Sequence, residues 1–114
     1  IGESFHPLLP RKLVSGDCIA VASTSHRDTE TDNWLSAHGV KKTIRAGSSL
    51  KFCLVASGKA DFYPRFGPTM EWDTAAGDAI LRAAGGMTYT SDNHVFKYGK
   101  KSYKNGSFIA KAQP

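Results

Sequence analysis

The sequence predicts an α/β fold in which helices flank a mixed, mostly parallel sheet. Three strand-like runs cover residues 18–22, 40–46 and 60–63, and a polar loop and then a helical pattern follow each of them. Strand-to-helix units in succession are typical of a parallel or mostly parallel sheet that helices cover. The shorter candidate strands that would complete the sheet are residues 87–90, 95–98 and 108–111.

The first unit begins with a buried strand. Residues 18–22 form a continuous apolar run after the turn at residues 15–17, which is the pattern of a strand buried on both faces. Thr29 or Thr31 is then expected to cap a short helix, and Gly39 is expected to end it.

The second and third units repeat this order. Residues 47–49 lead from the second strand into a compact helix over residues 50–56, which Gly58 is expected to close. In the third unit, the prolines within residues 64–68 are expected to break the strand before the next helix begins.

The third helix is the most informative part of the chain, and Asp73 is expected to begin it. Acidic side chains are favoured there because they face unpaired backbone N–H groups and the positive end of the helix dipole. The apolar stripe of this helix is thin, so the helix can approach the sheet closely and hold the Asp73 carboxylate in a defined place. Asp73 is thus either a helix cap alone or part of a metal or phosphate site. The stripe consists of Ala76, Ile80, Leu81 and Ala84, and Gly85 and Gly86 end the helix.

Ligands of open α/β sheets bind beyond the carboxyl ends of the strands, where the loops over residues 23–27, 47–49 and 64–73 are expected to meet. These loops contain hydroxyls, a histidine, an arginine and a carboxylate, and Lys51 lies one turn into the second helix. Free N–H groups at helix starts suit phosphate oxygens. The sequence therefore predicts an anion site with one metal-binding carboxylate.

Each candidate side chain at this edge also has a simpler interpretation. His26 lies in a polar loop, where an exposed histidine without a ligand is as compatible with the sequence as a ligand contact. Ser48 could cap the second helix, and Lys51 could be a solvated lysine, although the helix dipole opposes a cation in the first turn. Arg65 is flanked by proline and phenylalanine, and a guanidinium beside partly buried aromatics usually has an anionic or stacked partner.

Length and charge limit the classes of protein. The 114 residues, of which 40% are hydrophobic, suffice for one globular domain, predicted over residues 17–114 after an irregular segment at residues 1–16. The net charge of +5 indicates an anionic partner such as a nucleic acid, a membrane surface or a phosphorylated small molecule. The lysines within residues 97–104 are interpreted as a solvated hairpin rather than a nucleic-acid patch, since no recognition motif accompanies them.

The apolar runs also bear on cellular location. None of them is long enough to cross a bilayer. Cys18 and Cys53 lie inside apolar runs and are expected to be buried thiols, which suits a reducing cytoplasm. We therefore expect a cytoplasmic protein, with peripheral association at the inner face of the cell membrane left open.

Several stretches of the chain resemble a known family. Trp72-Asp73-Thr74-Ala75-Ala76-Gly77, followed by Ala83-Ala84-Gly85-Gly86, is similar to the second signature of the inositol monophosphatase-like, metal-dependent phosphatases. Ser25-His26, Ser48-x-x-Lys51 and Ala60-Asp61-x-Tyr63-x-Arg65 resemble, in this order, the pattern of bisphosphate nucleotidases of the CysQ type. The resemblance runs from about residue 17 to the end. It implies the C-terminal domain of the inositol monophosphatase-like sugar phosphatase fold.

The resemblance implies roles for five residues. Asp73 would be a catalytic ligand of Mg²⁺, and it would contact the substrate together with His26, Ser48, Lys51 and Arg65. The Ser-His pair and Arg65 favour a nucleotide such as adenosine 3',5'-bisphosphate over an inositol phosphate. The implied activity is hydrolysis of the 3'-phosphate, as in a 3'(2'),5'-bisphosphate nucleotidase of sulfur assimilation and nucleotide recycling. The alternatives are an inositol monophosphatase-type phosphatase and a non-catalytic module that binds anions or nucleic acid.

One departure from the family pattern bears on the metal site. The family builds this site mainly from an Asp-Pro-x-Asp-Gly-Thr loop and an upstream glutamate pair, and neither occurs in the 114 residues. Mg²⁺ needs nearly octahedral oxygen coordination, which Asp73 cannot supply alone. We therefore expect the chain to be the C-terminal half of an enzyme and to be inactive by itself. Its expected partners are a nucleotide bisphosphate and the missing N-terminal metal-binding half, but no nucleic acid.

Overall fold

The computed structural model describes residues 18–23, 29–47, 50–67 and 69–113. The predicted irregular segment at residues 1–16 therefore lies outside the described residues. The helices are α1 (Thr29–Ala37), α2 (Leu50–Ala56) and α3 (Glu71–Ala83). The strands are β1 (Ile19–Ser23), β2 (Lys42–Ala46), β3 (Phe62–Arg65), β4 (Thr69–Met70), β5 (Met87–Thr90), β6 (Lys104–Asn105) and β7 (Phe108–Lys111).

The main sheet has five strands in the spatial order β2-β1-β3-β7-β5. β1 pairs in parallel with β2 and with β3, while β7 pairs antiparallel with β3 and with β5. The predicted α/β class with a mixed sheet and flanking helices is confirmed, and its parallel half consists of β2, β1 and β3. Because these three strands run in one direction, the loops at their carboxyl ends lie along one edge of the sheet.

Helices cover both faces of the sheet. On one face, α2 and α3 bury the larger apolar cluster, which contains the rings of Phe52 and Phe108. On the other face, α1 packs over a smaller cluster through Leu35. Phe62 packs against the smaller cluster and its neighbour Tyr63 belongs to the larger one, because successive strand residues point to opposite faces. Tyr63 therefore faces α2 and α3.

The small residues of α3 bring it close to another helix. A Cβ atom added at Gly77 would lie 2.7 Å from Cδ2 of Phe52, in α2. The sequence predicted close approach to the sheet instead. The predicted stripe is only partly correct, because Leu81 and Ala84 are buried while Ala76 and Ile80 are exposed. The buried face of α3 includes Gly77 instead, and the close neighbour there is a side chain of α2.

The third strand lies two residues later than predicted, because it begins at Phe62 and continues through Pro64 and Arg65. A proline removes a backbone donor and is tolerated where no neighbouring strand needs that donor. β1 pairs with β3 only at Ala20 and Phe62, so Pro64 lies beyond the ladder on that side of β3. The proline therefore does not break the strand.

Residues 95–98 do not form the predicted strand. Val95 makes an isolated antiparallel bridge to Tyr89, and Phe96 donates a backbone hydrogen bond to Thr88. Beyond them the chain turns towards the start of α3, so the ladder stops. The sequence also gave no sign of the antiparallel pair of β4 and β6, since two-residue strands leave no periodic pattern.

Cys18 and Cys53 are half-buried thiols, whereas fuller burial was expected. In the parts of the chain that the structure covers, no helix is long and apolar enough to cross a membrane.

Candidate functional site

Three of the five predicted site residues lie in the described part of the chain. Lys51 is the second residue of α2, Arg65 is the last residue of β3, and Asp73 is the third residue of α3. His26 and Ser48 lie outside the described residues, so their roles remain predictions. Since α2 follows β2 and α3 follows β3 and β4, all three described residues belong to the carboxyl edge of the parallel strands.

The side chain of Tyr63 is the point that these three residues share. The Nζ atom of Lys51 lies 5.4 Å from the centroid of the Tyr63 ring. The guanidinium group of Arg65 donates a hydrogen bond to the Tyr63 hydroxyl. The Asp73 carboxylate is close enough for its charge to raise the pKa of Tyr63. Two cations and one carboxylate are thus brought into one neighbourhood.

The Tyr63 phenol is held in its neutral form. Burial is the main cause that raises the pKa of Tyr63 to about 12, while the charge and hydrogen bond of Arg65 oppose the rise and the charge of Asp73 adds to it. At neutral pH the oxygen can therefore accept a hydrogen bond from Arg65 without adding a negative charge to the site.

Lys51 is buried, with only 4% of its surface exposed. Burial lowers the pKa of Lys51 most, and the charge of Arg65 lowers it further. Both effects disfavour the charged ammonium, and a bound anion would counteract both of them. A buried lysine beside a guanidinium is an arrangement that suits an anion-binding site.

Asp73 does not begin α3 as predicted. The helix begins at Glu71, and the preceding residue, Met70, is extended and pairs with Lys104 in the β4–β6 ladder. From the third helical position, Oδ2 of Asp73 accepts a hydrogen bond from the Met70 backbone N–H at 2.8 Å. The carboxylate therefore caps the helix from inside its first turn. Within the described residues, the other oxygen, Oδ1, accepts no hydrogen bond, and the side chain is exposed.

The described residues fit one ligand of a Mg²⁺ site and not a complete site. Among them, no group of three or more His, Cys, Asp or Glu side chains could hold a metal ion. Mg²⁺ prefers oxygen ligands and is commonly bound through one or two carboxylates together with substrate phosphates and water. Oδ1 of Asp73 has the right chemistry for one of these positions.

Sequence reasoning missed Glu71, which fixes a loop beside the start of α3. Its carboxylate accepts hydrogen bonds from the backbone N–H groups of Gly99 and Lys100, each at 3.0 Å, and it forms an ion pair with Lys100 Nζ at 2.7 Å. The side-chain hydrogen bond from Lys100 is the main cause that lowers the pKa of Glu71. These partners are 28 and 29 positions away, so no local pattern could reveal them. The remaining lysines within residues 97–104 are exposed, as expected for the solvated hairpin that the sequence predicts: Lys97, Lys101 and Lys104.

A second buried carboxylate, Asp78, ties α3 to β5 and to the loop after it. Oδ1 accepts a hydrogen bond from Thr88 at 2.6 Å, and Oδ2 accepts one from the Tyr98 hydroxyl at 3.0 Å. Arg82 adds an ion pair at 3.0 Å. Both oxygens are satisfied inside the protein, so Asp78 stabilises the position of α3 and is not a candidate ligand.

Comparison with known proteins identifies the family. The model of the inositol monophosphatase family matches residues 6–114. The 3'(2'),5'-bisphosphate nucleotidase CysQ of Salmonella typhimurium is 47% identical over 91 residues, which are 79% of this chain but 37% of that protein. An uncharacterized protein from the pss 5' region of Rhizobium leguminosarum bv. phaseoli is 63% identical over 84 residues, covering 68% of this chain and 88% of that protein.

Solved structures agree with the sequence comparisons. CysQ from Bacteroides thetaiotaomicron, a bacterial member of the inositol monophosphatase family, superposes with a TM-score of 0.81 at 47% identity, covering 95% of this chain and 41% of that one. An inositol monophosphatase from Thermotoga maritima has a TM-score of 0.67 at 19% identity, which supports the fold alone. The chain spans well under half the length of the CysQ proteins that it matches. The predicted resemblance is confirmed, and the chain belongs to the inositol monophosphatase family.

Proposed function

We propose that this chain is the C-terminal half of a cytoplasmic, Mg²⁺-dependent phosphatase that hydrolyses the 3'-phosphate of adenosine 3',5'-bisphosphate in sulfur assimilation. The observation that carries the proposal is the convergence of Lys51, Arg65 and Asp73 on Tyr63. The 47% identity to bisphosphate nucleotidases named CysQ supports a nucleotide as the substrate.

The two cations supply the affinity for phosphate. Burial and the charge of Arg65 both disfavour the charged form of Lys51, so a phosphate dianion beside the two side chains would relieve an unfavourable charge pair. A guanidinium also offers a planar fork of donors that matches two phosphate oxygens at once. By this proposal, Arg65 orients one phosphate group, and Lys51 neutralises part of its charge. The predicted contacts from His26 and Ser48 would complete the binding of the nucleotide.

Asp73 would hold the metal ion through Oδ1. Bound Mg²⁺ supplies a water of lowered pKa and stabilises the charge that develops on the leaving oxygen. Oδ2 already accepts a hydrogen bond from the Met70 N–H, and this bond orients the carboxylate. The direction in which Oδ1 points is set in the same way. In the hydrolysis, the water oxygen bonds to phosphorus and the bond to the ribose O3' breaks. The ribose oxygen leaves with the electron pair and gains a proton, which yields adenosine 5'-phosphate and inorganic phosphate.

The proposal places the remaining metal ligands outside this chain. One carboxylate oxygen cannot satisfy a nearly octahedral ion, and a two-metal reaction needs several carboxylates. The lengths of the CysQ relatives, of which this chain spans 37% and 41% in two cases, support an additional N-terminal part. We therefore expect no turnover from the chain alone.

Two other functions remain to be distinguished by experiment. An inositol monophosphatase-type enzyme would use the same metal and phosphate contacts with a different leaving group. A binding module without catalysis is favoured by the lack of a complete carboxylate cluster among the residues that the structure describes. Such a module would bind adenosine 3',5'-bisphosphate equally well with and without Mg²⁺.

The test is phosphate release from adenosine 3',5'-bisphosphate and from inositol monophosphate, with and without Mg²⁺. It is carried out on this chain and on the chain joined to its N-terminal half. Asp73→Asn is the informative variant, because the amide oxygen still accepts the Met70 N–H while the ligand charge is lost. We expect at least about a 100-fold loss of kcat/KM, since a metal supplies several kcal/mol of transition-state stabilisation. Asp92→Asn, at an exposed turn residue, is the matched control.

Three results would count against the proposal. Turnover by the isolated chain at an enzyme-like rate would contradict the incomplete metal site. Faster hydrolysis of inositol monophosphate by the joined enzyme would reject the nucleotide preference. Unchanged activity in Asp73→Asn would leave Asp73 as a helix cap alone.

A further inference from the structure

We propose that Tyr63 is a positioning residue, which holds the Arg65 guanidinium and the Lys51 ammonium in place for an incoming phosphate group. The inference rests on the proposed function, because it assigns a role within the same candidate site. In the sequence, Tyr63 belongs to the Ala60-Asp61-x-Tyr63-x-Arg65 stretch that resembles the family, but the resemblance assigned it no role.

The ring of Tyr63 is fixed by its neighbours. Tyr63 is 4% exposed. Its ring packs edge to face against Phe52 at a centroid distance of 5.1 Å and against Phe108 at 5.3 Å. Phe52 and Phe108 are themselves buried and stack on each other at 5.7 Å. A ring held on two sides in a close-packed core has a single orientation, so its hydroxyl occupies a defined point.

Both cations use this fixed ring. Arg65 lies two residues after Tyr63 in β3, so both side chains leave the same face of the sheet. Its guanidinium donates a hydrogen bond to the Tyr63 hydroxyl, while Nζ of Lys51 lies 5.4 Å from the ring centroid. A hydroxyl lone pair and a π face are attractive to cations, and each of them restrains one long side chain.

The loop after β3 confines the guanidinium from the other direction. A Cβ atom added at Gly67 would lie 3.5 Å from Nε of Arg65, so the guanidinium lies alongside the loop backbone. That loop is anchored to the residue before β7 by a hydrogen bond from the Ser107 hydroxyl to the Phe66 carbonyl at 3.2 Å. Arg65 is thus held between the phenol and an anchored loop.

A neutral phenol is the right group for this position. A carboxylate there would also orient two cations, but it would cancel their charge and compete with a phosphate. The phenol stays protonated because burial keeps the pKa of Tyr63 near 12. Tyr63 can therefore orient the two side chains without adding a negative charge that would compete with the ligand.

The first experiment measures the mobility of Arg65 directly and needs no ligand. Heteronuclear ¹H–¹⁵N NOE values at Arg65 Nε are compared in the wild-type chain, Tyr63→Phe and Tyr89→Phe. Phenylalanine keeps the ring packing and removes only the hydroxyl. Tyr89 is the matched control, because Lys111 Nζ lies 5.2 Å from its ring on β5, away from the parallel strands. We expect an ordered Arg65 that becomes mobile only in Tyr63→Phe. An Arg65 signal that Tyr63→Phe leaves unchanged would overturn the inference.

The second experiment connects this order to binding. Calorimetric titration with adenosine 3',5'-bisphosphate is carried out on the wild type, Tyr63→Phe, Arg65→Ala and the double variant. Losing one hydrogen bond should weaken binding by about threefold to tenfold. The Tyr63 effect should vanish in the Arg65→Ala background, because the hydroxyl acts through Arg65. Equal effects in both backgrounds would show an unrelated structural loss and would overturn the inference.

The two experiments separate this inference from the proposed function. If the chain joined to its N-terminal half binds and hydrolyses no nucleotide, the proposed function fails, while the Arg65 mobility still decides the positioning role. If the nucleotide binds and Arg65 is insensitive to the phenol, only the positioning role fails.

Discussion

Replacing Gly77 by alanine is predicted to destabilise the protein, although alanine is the better helix former. Gly77 lies within α3, where alanine is favoured over glycine by about 1 kcal/mol. The added Cβ would lie 2.7, 2.8 and 2.9 Å from three side-chain atoms of Phe52. One of these atoms is the Phe52 Cβ itself, so rotation of the ring cannot relieve the contact. The backbones of α2 and α3 would have to separate.

The magnitude follows from how little Phe52 can move. Its ring is 2% exposed and is held by Tyr63 and Phe108. Overpacking a core costs about 1–3 kcal/mol, and a neighbour without free space takes the upper end of this range. Subtracting the gain in helix propensity leaves a net loss of about 2 kcal/mol. With an unfolding entropy of about 2.1 cal/mol/K per residue, this corresponds to a Tm about 8 °C lower for a chain of 114 residues.

Thermal and urea unfolding of Gly77→Ala, monitored by circular dichroism, test this reasoning. Ala79→Gly, at an exposed position of the same helix, measures the propensity term alone. Adding Phe52→Ala should make the alanine at position 77 less costly, because two of the three clashing atoms, Cγ and Cδ2, are then absent. A Tm equal to or above that of the wild type would refute the clash. If Gly77→Ala lowers the stability equally with and without the Phe52 substitution, the loss arises from a contact other than Phe52.

Three further substitutions test separate parts of the fold. The Lys100 hydrogen bond keeps the pKa of Glu71 below 4.5, so the stability from Glu71 is present above pH 4.5 and declines as pH falls through the lower folded value. Glu71→Gln should flatten this acid limb in pH-dependent melts, and an unaltered limb would contradict the assignment. At the alkaline end, burial raises the pKa of Tyr63 from 10 to about 12, so its contribution is complete below pH 10 and is lost as pH rises towards 12. A rise of this size corresponds to roughly 3 kcal/mol, which Tyr63→Phe should remove from the alkaline limb. The part due to Tyr98 should remain, because burial also raises the pKa of Tyr98 to about 12. Gly86→Ala would place a Cβ 2.6 Å from a backbone oxygen of β7, so its Tm should fall at least as far as that of Gly77→Ala.

Local patterns in the sequence predicted the elements whose burial repeats regularly along the chain. The second helix was predicted over residues 50–56 and is found as Leu50–Ala56, because its apolar residues follow the helical period. The pattern failed where a distant partner decides the conformation. Residues 95–98 are apolar enough for a strand, yet the loop after them is drawn to Glu71, whose backbone partners are 28 and 29 positions away.

The sequence likewise predicted only part of the candidate site. Lys51 and Arg65 could be placed at one edge because parallel strands bring their carboxyl ends together. The roles of Tyr63 and Glu71 could not be predicted, since both depend on burial and on contacts across the fold. The start of α3 was misplaced for the same reason. Local preference favours Asp73 as the cap, but the β4–β6 ladder holds Met70 extended and starts the helix two residues earlier.

This shift of two residues matters for the metal. A residue at the N-cap position directs its side-chain oxygen to N–H groups further along the helix. From the third position, Asp73 instead reaches back to Met70 with Oδ2 alone. In the proposed site, capping and metal binding would therefore use different oxygens of one carboxylate, and the capping hydrogen bond would fix the direction of the oxygen left for the metal. By the proposed function, Lys51 and Arg65 would bind phosphate, and Asp73 would give one oxygen to the cation. The carboxylates that a Mg²⁺ ion still needs would then come from the N-terminal half, so phosphate binding by this chain should survive without that half, whereas catalysis should not.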